Sequence, residues 1–151
     1  MAPATRLLTV LPTGHSELLM RQARYVSFPQ DTRIFEEGDP ADRFWVIRSG
    51  AVSLDMFVPG RRRVMVETLG VGDLLGWSWL FPPHRWHFGA EAFSPVRTLE
   101  FDGRAVRALC EDDPALGYAL TRSIAEILAR RLEVARTKLI DQYMRHGGPG
   151  L

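Results

Sequence analysis

A chain of 151 residues, 46% hydrophobic and 25% charged, reads as one soluble globular domain able to bury a core without disulfides or structural metal. Its formal net charge of +1 excludes a strongly basic nucleic-acid footprint spread over the whole surface. The lone Cys110 excludes an intrachain disulfide and multi-cysteine metal motifs; with no apolar run of transmembrane length and no signal-peptide pattern, the expected compartment is the cytoplasm.

His15–Arg24 follows Thr13-Gly14 and reads as a short amphipathic helix, with Leu18, Leu19, Gln22 and Ala23 at helical spacing. From Tyr25 to Phe101 short Val-, Phe-, Trp- and Thr-rich runs are broken by turn signals such as Gly38-Asp39-Pro40, Ser49-Gly50, Pro59-Gly60 and Gly72-Asp73. That rhythm favours a compact antiparallel barrel or jelly roll over alternating strands and helices. Val52–Phe57 and Val64–Leu69 read as hairpin partners across Pro59-Gly60-Arg61-Arg62-Arg63, an exposed charged turn that keeps the barrel soluble.

Past Gly103 the pattern is helical. Arg104–Cys110 forms a short helix, and Asp112-Asp113-Pro114 starts a second, with acids at the positive end of the helix dipole. The second runs to about Tyr143, spanning about 43 Å. Cys110 is expected to be a buried structural thiol whose acidic neighbours raise its pKa. The expected class is therefore mainly β, a jelly-roll (double-stranded β-helix) barrel with a short N-terminal helix and C-terminal helices. Residues 1–24 form the helical lead, 25–102 the β-roll, 103–143 the helices, and 144–151 a flexible tail containing Gly147-Gly148-Pro149-Gly150.

Along the long helix, Ala125, Leu128, Leu132, Ala135 and Leu139 make a heptad-like seam, beside a second row of Leu120, Ile124, Ile127 and Val134. One row is expected to pack on the barrel and the other to meet a second copy as a homodimer. Arg122, Arg130, Arg131 and Arg136 alternate with Glu126 and Glu133, which reads as a solvated face with intrahelical pairs.

Leu75–Ala90 concentrates Trp77, Trp79 and Trp86, three of the four tryptophans, around Pro82-Pro83, Arg85, His84 and His87. Such a run forms regular structure poorly and is costly to expose, so it lines a pocket or caps a core. The candidate ligand-binding residues are Leu75, Gly76, Trp77, Ser78, Trp79, Arg85, Trp86, His87, Gly89 and Ala90.

The run Ile34–Val52 (IFEEGDPADRFWVIRSGAV) closely resembles the first half of the cyclic nucleotide-binding domain of Crp/Fnr-type regulators, kinase regulatory subunits and gated channels. Gly70-Val71-Gly72-Asp73-Leu74-Leu75-Gly76 is similar to the start of that family's phosphate-binding cassette. The resemblance extends from Tyr25 to about Tyr143 and implies a β-roll followed by helices that respond to a bound ligand. It also implies a Glu after Gly76 for the ribose hydroxyl and an Arg-Ser/Thr-Ala triplet for the cyclic phosphate. Here Trp77 takes the Glu position, and the triplet falls on Trp86-His87-Phe88 or His87-Phe88-Gly89. The cassette is degenerate, so cAMP or cGMP binding in the usual mode is not expected. The ligand class left open is a cyclic nucleotide held differently or another small anion, with Arg85 as the nearest cation.

His84, His87 and Glu91 offer a distant cupin-like metal alternative, but a His-x-x-His spacing puts the imidazoles on opposite faces of a strand, and no metal site is assigned. No Ser-His-Asp, Cys-His or paired-carboxylate arrangement is present, so no catalytic residue is assigned and an enzyme is not expected. The residues after the long helix are too few for a helix-turn-helix, so direct DNA binding is not expected. The expected role is a ligand-responsive regulatory module that acts through a protein partner without membrane association. The alternative is a ligand-free dimeric interaction module whose pocket is filled by its tryptophans.

Overall fold

The computed structural model describes residues 7–8 and 11–145. Two four-stranded antiparallel sheets form a jelly roll. Strands are β1 (Ala23–Phe28), β2 (Arg33–Phe35), β3 (Arg43–Ser49), β4 (Val52–Phe57), β5 (Arg63–Leu69), β6 (Leu74–Leu75), β7 (Gly89–Ala92) and β8 (Val96–Asp102). One sheet has the order β1-β8-β3-β6 and the other β2-β7-β4-β5. Helix α1 (Thr13–Met20) precedes them, and α2 (Gly103–Asp112) and α3 (Pro114–Arg145) follow.

The two sheets and the helices create two cores that share β3. Phe44 and Val46 join Leu19, Leu99, Phe101, Val106, Leu120 and Ile124 beneath the helices. Trp45 and Ile47 join Val52, Leu54, Leu69, Leu75 and Trp86 inside the barrel. Successive strand residues point to opposite faces, so a strand covered on both sides must be apolar without interruption. That accounts for the unbroken Phe44-Trp45-Val46-Ile47.

The expected hairpin forms as β4 paired antiparallel with β5, with Arg63 opposite Phe57 and so part of the strand rather than the turn. The N-terminal helix ends earlier than Arg24. Its last residue is Met20, and Ala23 and Arg24 begin β1, opposite Phe101 and Glu100. An ion pair at 2.9 Å between Arg24 and the buried Glu100 adds to that pairing, and sheet formation overrides the helical spacing.

Asp102 caps α2, its carboxylate accepting from the backbone N–H groups of Arg104 and Ala105. Asp113 does the same for α3 by accepting from Leu116 N–H at 3.2 Å, with Pro114 in the first turn. A Cβ built on Gly117 would lie 3.0 Å from Cys110 O and 3.1 Å from Cys110 Cβ, so a larger residue would push α2 and α3 apart by a few tenths of an ångström. Cys110 is half-buried, and burial followed by the nearby Asp113 charge raises its pKa.

Helix α3 has 32 residues and continues through Arg145, past the expected end at Tyr143. Residues 144 and 145 thus belong to the helix, while Gly147-Gly148-Pro149-Gly150 lie outside the described residues. Leu116, Leu120 and Ile124 are fully buried, with Ile127 and Leu128 packed at the margin. Beyond them the helix leaves the barrel: Leu132 is 70% exposed and Leu139 68%. Ala125 and Ala135 are also exposed. Among the described residues no helix is long and apolar enough to cross a membrane.

Candidate ligand pocket

The cassette is suspended from β3. Gly72 N–H donates to Ile47 O at 2.8 Å, Ile47 N–H donates to Asp73 O at 3.1 Å, and Asp73 Oδ2 accepts from Gly70 N–H at 2.9 Å. Strand β6 then pairs with β3, placing Leu74 in the helical core and Leu75 in the barrel core. Gly76 follows at φ +95°, a conformation that favours glycine. A Cβ there would lie 2.9 Å from the Trp86 ring, so backbone and indole are in close contact.

The three tryptophans diverge. Trp79, in a 3-10 turn at Ser78–Leu80, is fully buried in the helical core and stacks on Phe44 at 4.4 Å. Its Nε1 donates to Gly76 O at 3.2 Å, which satisfies the buried indole N–H. Trp86 turns into the barrel and stacks on Phe35 at 3.9 Å, with Trp45 at 6.0 Å. Trp77 stays half-buried at the mouth and stacks on His87 at 4.6 Å. His87 Nδ1 lies 2.9 Å from Ser78 Oγ.

A cavity of about 20 Å³ remains between these groups, room for about one water molecule. Gly76, Trp77, Ser78, Trp86 and His87 of the expected set line it. Leu75 and Ala90 are fully buried in the barrel core instead, and Trp79 lies in the other core. Gly89 packs against Arg33 and Asp55, an ion pair at 2.6 Å. That hydrogen bond, and a second to Glu36, hold the Arg33 guanidinium above its ordinary pKa. Arg85 does not reach the cavity. It is exposed on another face, where its Nη1 donates to Gly38 O at 2.9 Å.

Phe35, Leu54, Phe88 and Arg131 also line the cavity and were not among the expected residues. Arg131 corrects the reading of a solvated helix face. It is half-buried, and its Nη2 donates to Leu74 O at the start of the cassette. Burial lowers its pKa, a cost only partly offset by Glu67 and Asp73. One spacing signal pointed there: Arg131 lies four residues after Ile127 and three after Leu128, on the face that packs. Arg122 does follow the solvated pattern, pairing with Glu126 at 3.9 Å.

His84, His87 and Glu91 are not brought together: His84 lines a separate cleft, His87 stacks on Trp77, and Glu91 meets Arg33 at 3.4 Å. Among the described residues no group of three His, Cys, Asp or Glu is placed to hold a metal ion.

Residues 25–113 match the sequence model of the cyclic nucleotide-binding domain. The chain belongs to the cyclic nucleotide-binding domain family. It is 32% identical over 123 residues to the CRP-like cAMP-activated global transcriptional regulator of Mycobacterium tuberculosis, covering 82% of this chain and 53% of the relative. The chain thus spans about half the length of the curated relatives it matches. Among solved structures, the N-terminal domain of a transcriptional regulator from Streptomyces coelicolor A3(2) is similar, with TM-score 0.70 and 26% identity over 88% of this chain and 93% of that one. A cyclic nucleotide-binding domain from Methylobacillus flagellatus shares the fold, with TM-score 0.83 and 17% identity over 92% and 81%.

Proposed function

We propose that this cyclic nucleotide-binding domain relative is a homodimeric cytoplasmic regulatory module that senses a small anion through Arg131 and acts on a protein partner rather than on DNA. The observation that carries the reading is that one cavity is lined by both the cassette and the long helix. Arg131 brings a desolvated guanidinium to a cassette that has Trp77, and Trp86-His87-Phe88 or His87-Phe88-Gly89, where the family's sugar and phosphate ligands would stand. An anion entering beside Trp77 would recover that desolvation cost and compete with Leu74 O for the guanidinium. The signal would then pass into α3, whose exposed Leu132 and Leu139 supply an apolar face for a second copy. The residual volume favours one further reading, a pocket permanently filled by Trp86 and Phe35 in a ligand-free interaction module.

Calorimetry and thermal shift with cAMP, cGMP, cyclic dinucleotides and other small anions separate the two. A ligand at 100 times its Kd stabilises by about 2.7 kcal/mol. Binding that is lost in Arg131→Gln and kept in Arg85→Ala supports the sensor. Flat responses across the panel sink it and favour the filled pocket.

A further inference from the structure

We propose that the cleft between the 40–42 loop, the 83–85 turn and the first turns of α2 is a second binding site, for the phosphate group of a small phosphomonoester. The cleft has a volume of about 230 Å³ and is lined by Arg85, Arg104 and Arg107 together with His84 and Asp42. Three arginines from two segments thus line a cleft that holds one aspartate, on a chain whose overall formal charge is only +1. None of the three arginines forms an ion pair among the described residues. Arg85 donates to Gly38 O and Arg107 to Trp79 O, bonds that fix both side chains while leaving most of their N–H groups free. Arg104 is exposed, its backbone N–H donates to Asp102, and among the described residues its side chain has no hydrogen bond or ion pair.

The walls are rigid because backbone bonds tie them together. Ala41 N–H donates to His84 O at 2.7 Å, Trp86 N–H to Asp39 O at 3.0 Å, and Gly103 N–H to Asp42 O at 2.7 Å. Like charges lining one cleft repel one another, and a dianion bound among them offsets that repulsion while satisfying several N–H forks at once. A volume below the range of drug-sized ligands suits a phosphate carrying few further atoms. Asp42 disfavours a bare extra anionic group, but its carboxylate can accept from a hydroxyl of the attached molecule.

The site is independent of the aromatic pocket, so it stands or falls separately from the sensor reading. The test is calorimetry at matched ionic strength with inorganic phosphate and with ribose 5-phosphate. We expect saturable binding at one site per protomer, weakened about tenfold or more in Arg104→Gln. Arg62→Gln, in the exposed hairpin turn, should bind as wild type does. Tighter binding of ribose 5-phosphate assigns the organic ester, and equal binding assigns the free ion. Absence of saturation by about 10 mM, or an equal loss in Arg62→Gln, overturns the site. Among the described residues Arg104 makes no side-chain bond, so an unchanged melting temperature of the unliganded variant establishes that the loss is local.

Discussion

Removing the Trp86 indole tests whether the pocket is filled as tightly as its 20 Å³ of free space implies. The side chain is 6% exposed and stacks on Phe35 at 3.9 Å, so Trp86→Ala deletes a nearly complete set of contacts. The backbone should not collapse into the space. Trp86 N–H donates to Asp39 O at 3.0 Å, and its carbonyl accepts from Gly38 N–H at 2.8 Å, both independent of the indole. The loss should therefore lie in the usual range for large aromatic deletions, about 3–5 kcal/mol. At about 2–4 °C per kcal/mol for a domain of this size, the melting temperature should fall by about 6–20 °C. The void would be walled by Phe35, Leu54 and Phe88, an apolar site suited to added indole. At ten times its Kd, indole should restore about 1.4 kcal/mol, or about 3–6 °C, in Trp86→Ala and nothing in wild type. Differential scanning fluorimetry reads both effects. A drop below about 1 kcal/mol, or indole acting equally on both proteins, would refute a Trp-filled pocket.

The Cys110 thiol, raised by burial and Asp113, should alkylate with iodoacetamide more slowly than a model thiol at pH 7–8; an equal rate would contradict the burial. Because its folded pKa lies above the unfolded one, its contribution to stability is intact below about pH 8.5 and declines as pH rises through the folded value. Urea titrations of wild type and Cys110→Ser should accordingly converge with increasing pH above that point, and parallel curves would count against the linkage. Leu132→Glu combined with Leu139→Glu should sediment as a monomer with unchanged helical content, since both side chains are largely exposed within the protomer. Unaltered sedimentation would remove this part of α3 from the interface.

Much of the fold was legible because the turn signals were strong. Gly38, Gly50, Gly60 and Gly72 all sit at positive φ, where the sequence had placed its breaks, and Asp113-Pro114 starts α3 as its chemistry requires. The site was less legible, since a run of aromatics reports burial without saying in which core. Trp77 and Trp79 are two residues apart, yet the 3-10 turn at Ser78–Leu80 leaves one at the pocket mouth and sends the other under the helices. Arg85 looked like a pocket cation from proximity in sequence, but its bridge to Pro40 turns it outward. Arg131 looked like one of several solvated arginines because its partner, the Leu74 carbonyl, carries no side-chain signal. Only its place on the Ile127–Leu128 face distinguished it from Arg130.

That same arginine limits how strongly pocket and helix can communicate. Before it, Leu116, Leu120 and Ile124 anchor α3 with no exposed surface; after it, residues 132–145 extend about 21 Å without comparable burial. Arg131 therefore stands at the fulcrum, and its bond to Leu74 O is the hydrogen bond from the outer half of α3 to the cassette that a ligand would break. A hydrogen bond to a charged group contributes about 1.5–3 kcal/mol. Coupling through this contact cannot exceed that amount, which corresponds to about 10- to 150-fold in affinity between the two sites. A ligand that changed dimer or partner affinity by more than this would have to act through a second contact.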